Sequence, residues 1–449
     1  VACMLGRHDR ARELAVDIEA LSTPDSRSSL ADVARLALAV RAGDRDGVDA
    51  AVAALVTADP GGVFEAYALS EIGAVHVWQM ADGLAVEALE RALALAMQLS
   101  LSALALATGG RLVLAHCAAG RLSIAEKYAL DAAGINSAHP RIPEASAAPF
   151  HIGTADLATT RGDLQGCARA LQVVDVAQLR DRDPALSCAA TLVRATALQA
   201  AGDYLGARAI ILGDPSCSLP GAWGLRAVSA LMLLELLAQS GRPLVAIHAF
   251  QHADPPTNDF LASRTHLARA RAHVAAGDWA AADLMARRVV TAARPATTPL
   301  LVAAVIVEAE AALGSGDETS AVEHLTRAID LSSHEGISQA FLEATPRFEA
   351  LLAGHPGLAA RWPVPLHSSA SAAADHSATR QRHGLPEPLT DRELSVLRWL
   401  ATRMTTAEIA TELFVSMNTV KTHLASIYRK LESSSRREAV AKGRDLHLI

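Results

Sequence analysis

Between Ser416 and Arg444 seven basic residues stand against two acidic ones, a balance suited to contact with a polyanion. If Val420, Leu424, Ile427 and Leu431 pack inward at helical intervals, then Lys421, Thr422, Ala425 and Arg429 share one outward stripe. Thr405, Thr406, Ser416, Asn418 and Thr419 stand at helix starts, where hydroxyls, an amide and free backbone N–H groups can hold phosphate. His423, Arg429, Lys430 and Arg436 add further groups able to reach a phosphate backbone. A lone lysine on a helix is ordinarily just solvated, so the weight rests on the pattern and not on any single cation.

Other chemistries find no such pattern. The five cysteines (Cys3, Cys117, Cys167, Cys188, Cys217) are far apart, without a C-x-x-C pair, and read as reduced thiols. His76, His116, His248 and His273 stand alone, so no metal is expected. The phosphate-binding loop G-x-x-x-x-G-K-[ST], a G-x-G-x-x-G, the nucleophile elbow G-x-S-x-G and the zinc motif H-E-x-x-H are all missing from the 449 residues, so neither enzymatic activity nor a cofactor is expected. The N-terminal stretch carries Arg7, Asp9, Arg10, Arg12 and Glu13, unlike a secretory signal. No apolar run reaches membrane-spanning length, which predicts a cytoplasmic protein with no membrane partner.

The elements that must position the basic stripe are well punctuated. Thr390 and Glu393, Thr405 and Glu408, and Ser435 and Glu438 have capping-box spacing, and Ser416 is a good N-cap. They predict helices over about Asp391–Thr402, Thr406–Leu413, Met417–Leu431 and Arg436–Leu446. Their apolar faces are Leu394/Leu397/Leu400, Ile409/Ala410/Leu413, Val420/Leu424/Ile427/Leu431 and Ala439/Val440. Only Phe414-Val415-Ser416 joins the second to the third, which is helix-turn-helix spacing.

This segment resembles the LuxR-type (NarL/GerE-like) DNA-binding domain. The likeness is carried by L-T-x-R-E at Leu389–Glu393, E-I-A at Glu408–Ala410, L-F-V-S at Leu413–Ser416, T-V-K-T-H at Thr419–His423 and I-Y-R-K-L at Ile427–Leu431. It departs from the family pattern at Arg403 and Glu432, where glycine is usual, and at Thr406, where Asn is usual. The resemblance implies that the third helix enters the major groove of double-stranded DNA, with Lys421, Thr422 and Ala425 meeting base edges. A lysine can donate to guanine O6/N7, and the methyls of Thr422 and Ala425 suit a thymine methyl. It also implies a dimer on DNA through the fourth helix, around Ala439, Lys442 and Gly443, and RNA polymerase as a further partner.

The first three quarters of the chain read differently. Alanine makes up about a fifth of all residues, favouring helix. A-G-D turns or variants recur at Gly43, Gly162, Gly202, Gly277 and Gly316, with looser copies at Gly6, Gly83, Gly120 and Gly241, spaced 36 to 42 residues apart. Such a glycine can close one helix in the left-handed conformation while the following Asp caps the next. Five residues after each glycine comes a small one: Ala11, Val48, Ala88, Ala125, Cys167, Ala207, Ala246, Ala282 and Ala321. The expected fold is therefore all-α: a tetratricopeptide-like solenoid of about nine helical hairpins, then a four-helix LuxR-type domain. Its concave surface is the place for a small-molecule effector or a protein partner.

The boundaries follow from composition: repeats over 1–362, a flexible linker rich in Pro, Ser, Ala and His over 363–388, and the DNA-binding domain over 389–449. Gly6 lies too near Val1 for the first hairpin to be whole. A longer parent protein is one expectation, and a Val start from an alternative initiation codon is the other. The combined architecture resembles the back half of MalT-like regulators, which implies an ATP-binding domain upstream. The reading is a bacterial-type transcription regulator; the alternative is a repeat-based scaffold with a vestigial or non-specific DNA-binding domain. The formal charge of −7 divides into +3 on residues 388–449 and −10 on residues 1–387. A basic tip on an acidic body fits the first reading.

Overall fold

The computed structural model describes residues 45–58, 62–80, 82–218, 223–252, 258–292, 297–365, 391–401, 404–412, 417–431 and 433–445, and the single positions 35, 36, 39, 256 and 389. The turns expected at Gly6 and Gly43, the opening half-repeat and residues 366–388 of the expected linker lie outside them. All regular elements among the described residues are helices. They run α1 (Arg45–Ala58), α2 (Gly62–Trp78), α3 (Asp82–Gln98), α4 (Ser102–Ala118), α5 (Leu122–Ala138), α6 (Glu144–Thr160), α7 (Leu164–Gln172), α8 (Val176–Arg182) and α9 (Pro184–Ala200). There follow α10 (Tyr204–Gly213), α11 (Trp223–Gln239), α12 (Pro243–Gln251), α13 (Asp259–Ala276), α14 (Trp279–Val290), α15 (Thr298–Gly314), α16 (Glu318–Ser333), α17 (Gln339–Gly354) and α18 (Pro356–Ala359). The C-terminal domain contributes α19 (Asp391–Leu400), α20 (Thr406–Glu412), α21 (Met417–Lys430) and α22 (Arg436–Asp445). None of these helices is long and apolar enough to cross a membrane.

Helices adjacent in sequence pack against one another, as a solenoid requires. Alternate helices form an inner layer, of which α2, α4, α6, α9 and α15 are buried along most of their length; in α4 every residue from Leu104 to Cys117 is buried. The intervening helices are amphipathic and cover them: α14 buries Ala282, Ala286 and Val289, and α16 buries Ala321, Leu325, Ala328 and Ile329. Where α4 crosses α6, glycine faces glycine. A Cβ on Gly110 of α4 would stand 2.2 Å from the Phe150 backbone nitrogen, and one on Gly153 of α6 only 2.7 Å from the Gly110 carbonyl oxygen.

The turn chemistry read from sequence operates at Gly162, Gly202, Gly277 and Gly316, which have φ of 72–85°. Asp163, Asp203, Asp278 and Asp317 each accept a hydrogen bond from a backbone N–H three residues on, at 2.7–3.2 Å. One turn differs. Gly83 lies inside the first turn of α3, and the left-handed residue is Met80, with φ 58°. Counting five residues from Met80 gives Ala85, which is fully buried, whereas Ala88 is only half-buried. The small-residue rule therefore holds once the turn is moved; Ala125, Ala207, Ala246, Ala282 and Ala321 are all fully buried.

The stack also closes on itself. Asn258 Nδ2 donates to the Gln79 carbonyl and the Ser338 N–H donates to the Thr160 carbonyl, both at 2.9 Å, while Gly120 lies against Thr298 and Pro299. All three contacts join residues 178 or 179 apart, so one superhelical turn takes about four and a half repeats. A polar ladder follows the inner helices. Gln199 Nε2 donates to Gln239 at 3.0 Å, and Arg271 reaches Glu235 at 3.2 Å and Glu343 at 3.0 Å. The array ends on aromatics: Trp362 Nε1 donates to Thr345 Oγ1 at 3.0 Å, and its ring stands edge-on to Phe341. Val364 is also buried here, so packing of the array continues past residue 362.

One carboxylate in this body makes stability depend on pH. Burial pushes the Asp156 carboxyl of α6 up to about 7. An acid whose folded-state value is raised holds its proton in the folded chain and loses it in the unfolded chain between about pH 4 and 7. Its contribution is fully present at low pH and is lost as pH rises through that window. Thermal unfolding followed by circular dichroism should show the protein losing about 2 kcal/mol from pH 5 to pH 8, and Asp156→Asn losing much less. Parallel pH profiles for the two proteins would rule this out.

Candidate nucleic-acid interface

The C-terminal domain is a small packed body built around its third helix. Val396, Leu397, Trp399 and Leu400 of α19, Ile409 and Ala410 of α20, Val420 and Ile427 of α21, Leu431 and Ala439 form one buried cluster. Leu424, Tyr428 and Val440 pack against it half-buried. With α21 thus held along its inner side, Lys421, Thr422, Ala425 and Arg429 are exposed on the opposite side. His423 is half-buried at the edge of that stripe. Ser416 lies outside the described residues. Asn418 and Thr419 fall in the first turn of α21, and their side chains lie outside them too.

Two of the three predicted capping boxes fasten their helix starts, one of them with a shift; Thr390, the cap partner of the third, lies outside the described residues. Thr405 and Glu408 form a reciprocal box: the Thr405 N–H and Oγ–H both donate to Glu408 Oε2, and the Glu408 N–H donates to Thr405 Oγ1. The Thr405 hydroxyl proton is thus already engaged, and its neighbour Thr406 opens α20 half-buried. At the start of α22 the Glu438 N–H donates to Ser435 Oγ, but the Glu438 carboxylate reaches one residue further back, to Ser434 N and Oγ, both at 2.8 Å. These bonds hold the carboxyls of Glu408 and Glu438 below the usual carboxylate range.

Four residues assigned to DNA or dimer contacts by sequence have places inside the domain. Lys430 is buried, with Nζ 2.8 Å from Glu393 Oε2, and Ser426 Oγ donates to the other oxygen of that carboxylate. Glu393, read from sequence as a capping residue, is the centre of an interior polar cluster that ties α19 to α21. Arg436 donates through Nε to the Leu400 carbonyl at 2.9 Å and through Nη1 to the Met404 carbonyl at 2.6 Å. Its guanidinium therefore serves the end of α19, where backbone carbonyls lack helical partners and a cation is favourable. Ala439 is fully buried in the domain's own core and Gly443 is buried, while Lys442 is half-buried. Lys442 Nζ stands 3.8 Å from Glu438. Arg403 and Glu432, the departures at glycine positions, lie outside the described residues.

A residue the apolar pattern did not single out is Trp399, fully buried where α19 meets the array helix α10. Tryptophan among leucines at helical spacing reads as ordinary core, so nothing in the sequence distinguishes this contact.

Residues 387–442 match the family model described as bacterial regulatory proteins, luxR family. This segment is a luxR-family domain. The curated relatives agree with it. The transcriptional regulatory protein LiaR of Bacillus subtilis (strain 168) is 42% identical over 76 residues, which are 16% of this chain and 36% of LiaR. The nitrate/nitrite response regulator protein homolog of Haemophilus influenzae is 48% identical over 50 residues, 11% of this chain and 24% of that protein. The chain thus spans about a third or less of the length of these two relatives. The chain is also similar in structure to the Rap protein complexed with competence and sporulation factor, with 13% identity and a TM-score of 0.44, over 83% of this chain and 96% of that one.

Proposed function

We propose that the protein is a DNA-binding transcription regulator in which α21 of the luxR-family domain reads the major groove. The observation that carries this reading is the exposed stripe of Lys421, Thr422, Ala425 and Arg429, set on a helix held by packing along its inner side. Lys421, Thr422 and Ala425 meet base edges. Thr406, Ser416, Asn418, Thr419, His423 and Arg429 meet phosphate, while Lys430 and Arg436 hold the helices that present them. The array is the sensing part. Its shallow clefts, one lined by Gln239, Arg271, Glu310, Glu343 and Arg347 and one lined by Tyr67, Glu71, Arg111 and Arg182, offer charged and polar groups to an effector or partner.

DNase footprinting of the full chain on fragments of its own genome tests the reading. The expected result is protection of a small set of discrete sites that survives competition from bulk DNA. Uniform, competitor-sensitive coverage would favour the alternative, a repeat scaffold whose terminal domain binds DNA without selection.

A further inference from the structure

The luxR-family domain does not stand apart from the array. Helix α10 packs against α19. Ala209 of α10 is 3% exposed and belongs to the buried cluster of the DNA-binding domain, with Leu205 packed against the same cluster. The Arg208 guanidinium carbon lies 5.4 Å from the centroid of the Trp399 ring, within reach of a cation–π attraction. Trp399 is fully buried in this arrangement. Leu205, Arg208 and Ala209 thus form a continuous face, one turn of helix wide, matched to an indole on the far side.

Two further facts bear on what this contact does. The reading stripe of α21 stays exposed while α19 is engaged, so docking does not cover Lys421, Thr422 or Ala425. The array to which the domain is fastened lies within residues 1–387, which carry −10, against +3 on residues 388–449. Approaching DNA therefore meets the field of an acidic body held at contact distance from the basic tip. That field extends about 10 Å at 0.1 M salt, and more at lower salt.

We propose that the α10 face is a docking surface for the chain's own DNA-binding domain, and that the docked state weakens DNA binding electrostatically, without covering the reading helix. This rests on the DNA-binding reading given above. Releasing the domain carries the basic tip away from the acidic array, so affinity rises, and the rise depends on salt. If the domain is docked nine-tenths of the time and the docked form binds negligibly at low salt, release raises apparent affinity about tenfold.

The test uses the full chain and the array-side variant Leu205→Glu/Arg208→Glu, with the milder Leu205→Ala/Arg208→Ala as a second. Binding is read on a labelled random-sequence duplex of about 24 base pairs, and size by small-angle X-ray scattering. The expected result for the charge-reversed variant is a larger radius of gyration with unchanged far-ultraviolet circular dichroism. Binding should be about tenfold tighter at about 50 mM salt, with the gain falling below about twofold near 0.5 M. The alanine variant should fall between, and it carries the test if the glutamates disturb folding. An unchanged radius of gyration would overturn the docking surface. An expanded variant that binds equally or more weakly at low salt would overturn the inhibitory role. If no form of the chain binds the duplex even at low salt while expansion still occurs, the DNA-binding reading itself fails and docking alone is supported.

Discussion

Replacing Lys430 alone with Met is expected to destabilise the luxR-family domain by about 3–5 kcal/mol, enough to unfold a small body of this size. The ammonium and the Glu393 carboxylate lie 2.8 Å apart, each with 6% of its side chain exposed. Removing the cation takes away the charge that offsets this buried carboxylate; the Ser426 hydroxyl, which donates to its other oxygen, is neutral. An uncompensated charge in the interior costs far more than the pair contributes, because the desolvation of Glu393 is then no longer offset by its partner. The double replacement Glu393→Met/Lys430→Met should recover most of the loss. It removes both charges and fills the space with apolar atoms; what remains is the stranded Ser426 hydroxyl, worth about 1–3 kcal/mol. Thermal unfolding, with hydrogen exchange followed over 417–431, measures the three proteins. Equal and mild effects in the single and double variants would show that the pair is not an interior one.

That pair also marks how far sequence could go. Helix bounds in the C-terminal domain are legible to within two residues, because capping boxes and turn residues are local signals. The inner face of α21 is legible for the same reason: Val420, Ile427 and Leu431 are buried as their spacing demands. The roles of Lys430 and Arg436 are not, since each depends on a partner 32 to 37 residues away on another helix. A cation next to a motif reads as a DNA contact until the fold supplies a carboxylate or a helix end for it. In the array, repeat length and small-residue register are written in single hairpins and could be read there. The move of one turn from Gly83 to Met80 could not, because a non-glycine residue at φ 58° is unusual and glycine was the obvious candidate. The superhelical pitch is still less local. It accumulates from small rotations between successive repeats and shows in contacts such as those 178–179 residues apart.

The reading stripe is where the functional proposal is most exposed to test, and Lys421 is its centre. Lys421→Glu is expected to weaken binding to a footprinted site about 100-fold, and Lys421→Ala about tenfold, at near-physiological salt. Lys421 is exposed on α21, so neither change should disturb the packing that holds the helix. The alanine variant loses a donor able to reach guanine O6/N7 together with one neutralised phosphate neighbourhood. The glutamate adds repulsion from the phosphates on either side of the groove. Lys442 supplies the comparison. It is half-buried on α22, beside Glu438 and away from the stripe, and Lys442→Glu changes the charge of the domain by the same amount. If α21 reads bases, the Lys421 variants should also relax the preference among sequences differing at one or two base pairs, whereas Lys442→Glu should weaken all of them uniformly. Competition gel shifts over a small panel of single-substitution sites measure both quantities at once. Equal losses for Lys421→Glu and Lys442→Glu, with sequence preference intact in both, would mean that the domain attracts DNA by its charge alone and that the sequence is read elsewhere.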